Sequence, residues 1–307
     1  MKLIRTLDSR PVNRPATALA IGNFDGLHCG HQALVTAVMA HAPALEAALM
    51  CFEPLPATLF RPDDPVPRLM AVRDRLLACR RLGIQRVFMP RFDRAFAGLS
   101  PEEFVRRAIV AAARAERVVV GADFRFGARA AGDVDLLQQL GRRHGFAVEV
   151  IKPVQQGADK ISSSHIRRLL AAGDIDAAET LLGHPYTLSG RVLRGQQLGR
   201  RLGFPTVNLR PPLPPALAGV FAVRVCGAGL ERRPGVANLG RRPTVAGSDW
   251  LLEVHVFDHA GDLYGRHLQV EFVARLRAEE KFDSLDAMVD QMHRDADRAR
   301  QLLAGTA

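Results

Sequence analysis

The chain of 307 residues is long enough for two compact domains, and 48% hydrophobic with 24% charged residues is an ordinary globular composition. No stretch approaches the roughly 20 apolar residues of a membrane helix, and charges interrupt residues 1–8 too early for a secretory signal, so a soluble cytoplasmic protein without membrane contact is expected. The formal net charge of +10 rests on arginine, with lysine only at Lys2, Lys152, Lys160 and Lys281, and its scatter along the chain suits phosphorylated metabolites as well as nucleic acid.

In chain order, the apolar run 18–21 predicts a buried strand, followed by a helix over 32–41 and a second strand over 47–52. Val72, Leu76 and Leu77 fall at helical spacing within 71–82, and 86–89 is strand-like. Ser100 and Glu103 form a capping box around Pro101, which starts a helix running to about Ala115. Strands over 117–120 and 146–151 complete an alternation that implies a mainly parallel α/β sheet covered on both faces. In such a sheet the ligand sits beyond the carboxyl ends of the strands, here in the loops after Ile21, Phe52 and Val120.

Two short helices are expected from Ser164 to Leu182, with Gly173 and Gly183 as C-terminal caps and Asp174 as an N-cap. A domain boundary after Pro185 divides 1–185 from 186–307. Beyond it, short runs at 189–193, 220–225, 251–257 and 268–272, punctuated by Gly and Pro, predict an antiparallel β-barrel. Gly261-Asp262 reads as a hairpin turn between the last two runs, 211–215 as a stiff connector, and 284–303 as a C-terminal helix. Cys29, Cys51, Cys79 and Cys226 form no CxxC pair, so reduced thiols are expected rather than a zinc site or a disulfide framework.

Residues Gly22, Asn23, Phe24, Asp25, Gly26, Leu27, His28, Cys29, Gly30 and His31 stand where a strand ends and a helix begins, a place that suits an anion. His28 and His31 can both donate to charge developing on phosphorus; a metal pair or ordinary surface histidines are the other readings, and no third metal ligand stands nearby in sequence. The segment resembles the GxFDGxHxGH signature of prokaryotic bifunctional riboflavin kinase/FMN adenylyltransferases, also called FAD synthetases. That resemblance implies a Rossmann-like nucleotidyltransferase domain in which Gly22, Asn23, Phe24, Asp25 and Gly30 line the nucleotide.

Ser162, Ser163, Ser164, His165, Ile166 and Arg167 resemble the family's phosphate-holding SSTRIR motif, with Ser164 in place of Thr and His165 in place of Arg. Read alone, such hydroxyls at a helix start cap backbone amides or face a phosphate. The resemblance implies that Ser162 binds nucleotide and that Ser164 and Arg167 act in catalysis. Phe52-Glu53-Pro54-Leu55-Pro56 resembles the family's FxPxP segment and 121–127 its G-x-DFRFG segment, which implies contacts from Asp123 and Phe124 to flavin and adenylate.

In the second half, Gly195 to Asn208 is a glycine-rich cationic loop able to fold over a diphosphate, and Thr206 and Asn208 offer neutral oxygens to Mg2+. It resembles the riboflavin kinase signature G-x-x-x-GR-x-x-GFPTAN, with Val207 in place of Ala, which implies nucleotide contacts from Gly199, Arg200 and Gly203. A phosphoryl acceptor needs a nearby base, and alternation within 251–257 puts Glu253 and His255 on one face, Val254 and Val256 on the other. The strand resembles the family's E-x-H strand, which implies that Glu253 is the base; 235–244 and 276–282 resemble further family segments, which implies a nucleotide contact from Arg277. His293-Arg294-Asp295 imitates a protein-kinase motif without its companions and reads as a solvated helix face.

The implied activity is phosphorylation of riboflavin to FMN, then adenylylation of FMN to FAD, with ATP as co-substrate, Mg2+ as cofactor and no nucleic-acid partner. The rivals are a nucleotidyltransferase for another phosphorylated metabolite and a basic nucleic-acid-binding protein. The oligomeric state stays open between a monomer and weak self-association.

Overall fold

The computed structural model describes residues 1–7, 15–156, 159–194, 203–244 and 247–305. They fall into two compact units, Met1–Val66 with Val72–Ile161, and Pro67–Ala71 with Ser162–Ala307.

The first unit is built on six strands: β1 (Lys2–Ile4), β2 (Thr17–Ile21), β3 (Glu46–Met50), β4 (Arg86–Phe88), β5 (Ala115–Gly121) and β6 (Ala147–Ile151). Their order is β1-β4-β3-β2-β5-β6 and every pairing is parallel, as the strand-helix alternation requires. All of β2 is buried, which explains its unbroken apolar run. The chain leaves β2 towards β3 on one side and later returns as β5 on the other, so the switch point of the sheet lies beyond Ile21 and Gly121, where sheets of this kind take ligands.

Helices α1 (Cys29–Met39), α2 (Pro56–Phe60), α3 (Val72–Arg81) and α4 (Arg94–Ala97) precede α5 (Pro101–Phe104), which carries the expected capping box and widens into a π-type helix over Val105–Ala113. Helix α1 starts three residues before the expected 32, because the His28 side chain caps it. A helix that apolar periodicity had not flagged, α6 (Val134–His144), is announced by the Asp133 N-cap and buries Leu137 and Leu140. Two short strands, β7 (Gln155–Gln156) and β8 (Asp159–Lys160), close the unit. Burial pushes the Cys79 thiol up to about 12, so it stays protonated and inert.

The second unit holds α7 (Ser163–Ala172) and α8 (Ile175–Leu182), capped by Ser162, Asp174, Gly173 and Gly183. It then forms a closed antiparallel barrel of β9 (Thr187–Leu193), β10 (Val207–Leu209), β11 (Gly219–Gly227), β12 (Leu230–Thr244), β13 (Gly247–Val256) and β14 (His267–Arg277), in the order β10-β13-β12-β11-β14-β9. The units divide at Ile161, earlier than the boundary expected after Pro185. The reason is packing: α8 lies on β14, Arg275 donates to the Ala172 carbonyl at 3.3 Å, and Glu179 accepts from the Tyr186 amide at 2.9 Å. The proline-rich connector also takes part, since the Pro214 carbonyl accepts from the Arg68 amide at 2.9 Å and so ties 67–71 to this unit.

Gly261-Asp262 is not a hairpin turn, because β13 is already paired on both edges by β10 and β12, and β14 pairs instead with β11 and β9. The last helix, α9 (Leu285–Ala304), is not solvated at Asp295, which is 6% exposed. Its Ala296, Ala299 and Leu303 pack with Val220 and Ala222 of the barrel's outer face into a second core.

Candidate active sites

In the first unit the chain leaves β2 through a tight turn in which Phe24, Gly26 and Leu27 take φ of +50°, +83° and +45°. Gly26 adopts this freely; Phe24 and Leu27 do not, at a cost of about 1–3 kcal/mol each, and both are buried, so surrounding packing imposes the turn. Arg75 of α3, only 1% exposed, pins it from behind: Nη1 donates to the Asn23 carbonyl at 2.9 Å and Nη2 to Glu53 Oε2 at 3.1 Å. Arg75→Met removes the cation joining these two loops, and the first unit should lose about 3 kcal/mol of stability against urea. A midpoint equal to wild type would show that the clamp contributes nothing.

His28 Nδ1 caps α1 by accepting from the His31 amide at 3.3 Å, which in the neutral ring places the proton on Nε2 as a donor. The His28 and His31 rings stack with centroids 3.7 Å apart, and Phe24 braces His31 at 5.1 Å. Gly30 keeps this stack uncrowded: a Cβ there would lie 3.2 Å from the His28 ring, close enough to push it aside by a few tenths of an ångström. Two stacked imidazoles over a helix N-terminus are suited to phosphate. Among the described residues no group of three or more His, Cys, Asp or Glu is placed to hold a metal ion, which leaves the metal-pair reading without its third ligand.

Gly22 bonds back to the Met50 carbonyl at 3.1 Å, and Asp25 is 1% exposed. Asp123, beyond β5 at the crevice, pairs with Lys160 at 2.5 Å, and this hydrogen bond holds its carboxyl below the usual range. The contact is therefore complete above the ordinary carboxylate range and is lost only as pH falls below it. Phe124 is half-buried and stacks at 5.6 Å on Phe126, the core residue of the segment.

In the second unit Ser162 accepts from the His165 amide at 3.2 Å, so its hydroxyl serves as the helix cap, while Ser164 is exposed. Arg167 Nε donates to the Pro67 carbonyl at 2.6 Å. Gly199 and Arg200 lie outside the described residues. Gly203 has φ of +79° with open space around it.

On the barrel, Leu252, Val254 and Val256 point into the core while Glu253 and His255 face outward, the predicted alternation. A cavity of about 340 Å³ lies over this outer face, lined by Phe204, Thr206, Asn238, Glu253, His255 and Arg277 among others. Register places Asn208 and Asn238 directly beside Glu253, one on each flanking strand. Glu253 Oε2 is held by Arg242 Nη2, and the His255 ring packs on Phe204 at 5.1 Å with Nδ1 2.9 Å from the Pro205 carbonyl. The amide oxygens of Asn208 and Asn238 are buried without a hydrogen-bond partner among the described residues, an arrangement that calls for an outside donor or a cation. Arg277 is engaged already: its Nε and Nη2 grip Asp295 at 2.9 and 2.8 Å, which ties β14 to α9.

Sequence reasoning gave no role to Arg75 or Asp295, and it placed Asn238 and Arg242 only within a segment that resembles the family, without a role for either. Arg75 carried no signal beyond its helix, and Asp295 was hidden inside a false motif. Asn238 and Arg242 fall within 235–244, whose Gly and Pro obscure the longest strand of the barrel.

A family model described as FAD synthetase matches residues 11–165, and one described as riboflavin kinase matches 182–303. The chain is 43% identical over 311 residues to the bifunctional riboflavin kinase/FMN adenylyltransferase of Escherichia coli strain K12, covering 100% of this chain and 99% of the relative. It is 42% identical over 314 residues to the protein of the same name from Pseudomonas fluorescens, covering 100% and 99%. A solved structure named macrolide-efflux protein, from Streptococcus pneumoniae, matches with a TM-score of 0.81 at 29% identity over 97% of this chain and 98% of that one. Among the described residues no helix is long and apolar enough to cross a membrane.

Proposed function

The chain belongs to the bifunctional riboflavin kinase/FMN adenylyltransferase family, and from that premise we propose how its residues divide the two reactions. The enzyme phosphorylates riboflavin to FMN and adenylylates FMN to FAD. Residues 186–307 carry the first step and 1–185 the second; Ser162, Ser164 and Arg167 serve the second although their helix packs with the barrel.

For phosphorylation, the observation that carries the reading is Glu253 at the cavity wall, fixed by Arg242 through one carboxylate oxygen. The other oxygen takes the proton of the terminal ribityl hydroxyl as its oxygen attacks the γ-phosphorus of ATP and ADP leaves. Thr206 and the orphaned Asn208 oxygen suit Mg2+, which takes hard neutral oxygens and keeps water and substrate phosphates as its remaining ligands. When bound there it neutralises phosphate charge. Gly199, Arg200, Gly203 and Arg277 take the nucleotide contacts that the resemblance implies, and Arg277 also locks β14 to α9 through Asp295 at the cavity edge.

For adenylylation, an FMN phosphate oxygen bonds to the α-phosphorus of a second ATP and the bond to pyrophosphate breaks. His28 Nε2–H and His31 donate to the charge developing there, and Ser164 and Arg167 keep the phosphate role that the SSTRIR resemblance implies. The turn of Gly22, Asn23, Phe24, Asp25 and Gly30 bears the nucleotide, and Asp123 and Phe124 meet adenylate and flavin. Four thiols without a disulfide fit a reducing, cytoplasmic compartment.

The test is to supply riboflavin, ATP and Mg2+ and resolve FMN from FAD with time. Chelation should stop FMN formation and added Mg2+ restore it, and Asn208→Ala should raise the Mg2+ needed by about tenfold. An Asn208→Ala enzyme with wild-type Mg2+ dependence would remove Asn208 from the cation site.

A further inference from the structure

Asn238 stands in register with Glu253, on the strand opposite to the one that carries Asn208. Its Nδ2 donates to Glu279 Oε1 at 3.2 Å. A carboxylate only accepts, so this contact fixes which end of the amide is which and turns Oδ1 the other way. That oxygen is buried with no partner among the described residues, and Asn238 lines the same cavity as Glu253. Gly240, two residues along β12, makes room for the arrangement, since a Cβ there would overlap the Glu279 carboxylate.

From this we infer that Asn238 binds a hydroxyl of the ribityl chain next to the one that is phosphorylated, and that Glu279 and Gly240 hold its amide in the accepting orientation. The partner must be a donor or a cation, which rules out the phosphates of ATP themselves, since these only accept. Strands two apart are separated by roughly 9–10 Å, whereas Mg2+ bonds oxygen at about 2.1 Å, so a cation seated on Asn208 lies on the far side of Glu253. Within roughly 5 Å of the base on the near side, the donors of a substrate positioned for phosphoryl transfer are the neighbouring polyol hydroxyls. Asn238 therefore selects a flavin that carries a polyol over one that does not, and keeps its terminal hydroxyl aimed at Glu253.

The inference rests on the cavity being the riboflavin site, and the experiment separates the two. In the full-length enzyme, FMN formation is measured against riboflavin, with lumiflavin, which has a methyl group in place of the polyol chain, as competitive inhibitor. Asn238→Ala should raise the riboflavin KM about tenfold while the lumiflavin Ki stays within twofold, since only the polyol contact is lost. Glu279→Ala and Gly240→Ala should show the same split more weakly, and Glu279→Gln, which still accepts from Nδ2, should restore wild-type values. Equal weakening of riboflavin and lumiflavin would overturn the inference, as would an unchanged riboflavin KM with a raised Mg2+ requirement, which would put Asn238 on the cation. If instead Glu253→Gln forms FMN at the wild-type rate, the cavity itself is not the phosphorylation site.

Discussion

Glu253→Gln should lower the rate of FMN formation about 10³-fold, equivalent to about 4 kcal/mol of transition-state stabilisation, while FAD formation from supplied FMN continues at the wild-type rate. Glutamine keeps the volume of the side chain and can still accept from Arg242, but it cannot take a proton from the ribityl hydroxyl. The riboflavin KM should therefore stay within about threefold of wild type, with the loss falling on kcat. The barrel should not notice the change, because Glu253 lies on the outer face and only Leu252 and Val254 beside it are core residues. Equal loss of FMN and FAD formation would contradict the division of the two reactions between 186–307 and 1–185.

His28→Ala should do the reverse, cutting FAD formation from FMN by about 10²–10³-fold and leaving FMN formation intact, as expected when a donor to developing phosphate charge is lost. The substitution has a second consequence, because His28 also caps α1, and losing that acceptor costs about 1 kcal/mol. His28→Ser separates the two roles. Serine is a strong N-cap and should return the unfolding midpoint towards wild type, yet it lacks the imidazole donor and should stay as slow as alanine. A His28→Ser enzyme that regains adenylylation would show that His28 serves only to start the helix.

Much of the fold was legible from local chemistry. The Ser100–Glu103 box, the Asp174 cap and the left-handed Gly173 and Gly183 were all readable, because each is satisfied within a few residues of itself. The parallel sheet and the barrel followed from apolar periodicity, and the HxGH turn and Glu253 from motif and alternation. What stayed hidden depends on distant partners. The strand β12 went unassigned from periodicity, because its glycines and prolines break the alternation, and it is a strand because β11 and β13 pair with it on both edges. Gly261-Asp262 has turn chemistry, but the strands on either side are already paired elsewhere.

By itself the sequence determined the two fold classes and most of the helix ends, and it pointed to the residue types at both candidate sites, because periodicity, capping and side-chain chemistry act over short range. Only the tertiary structure decided which side chains meet: Arg75 bridging Asn23 and Glu53, Arg277 closing on Asp295, and Asn208 and Asn238 flanking Glu253. A buried charge or amide is stable only beside its complement, and which complement arrives is set by strand order and register, quantities that no single segment of the chain contains.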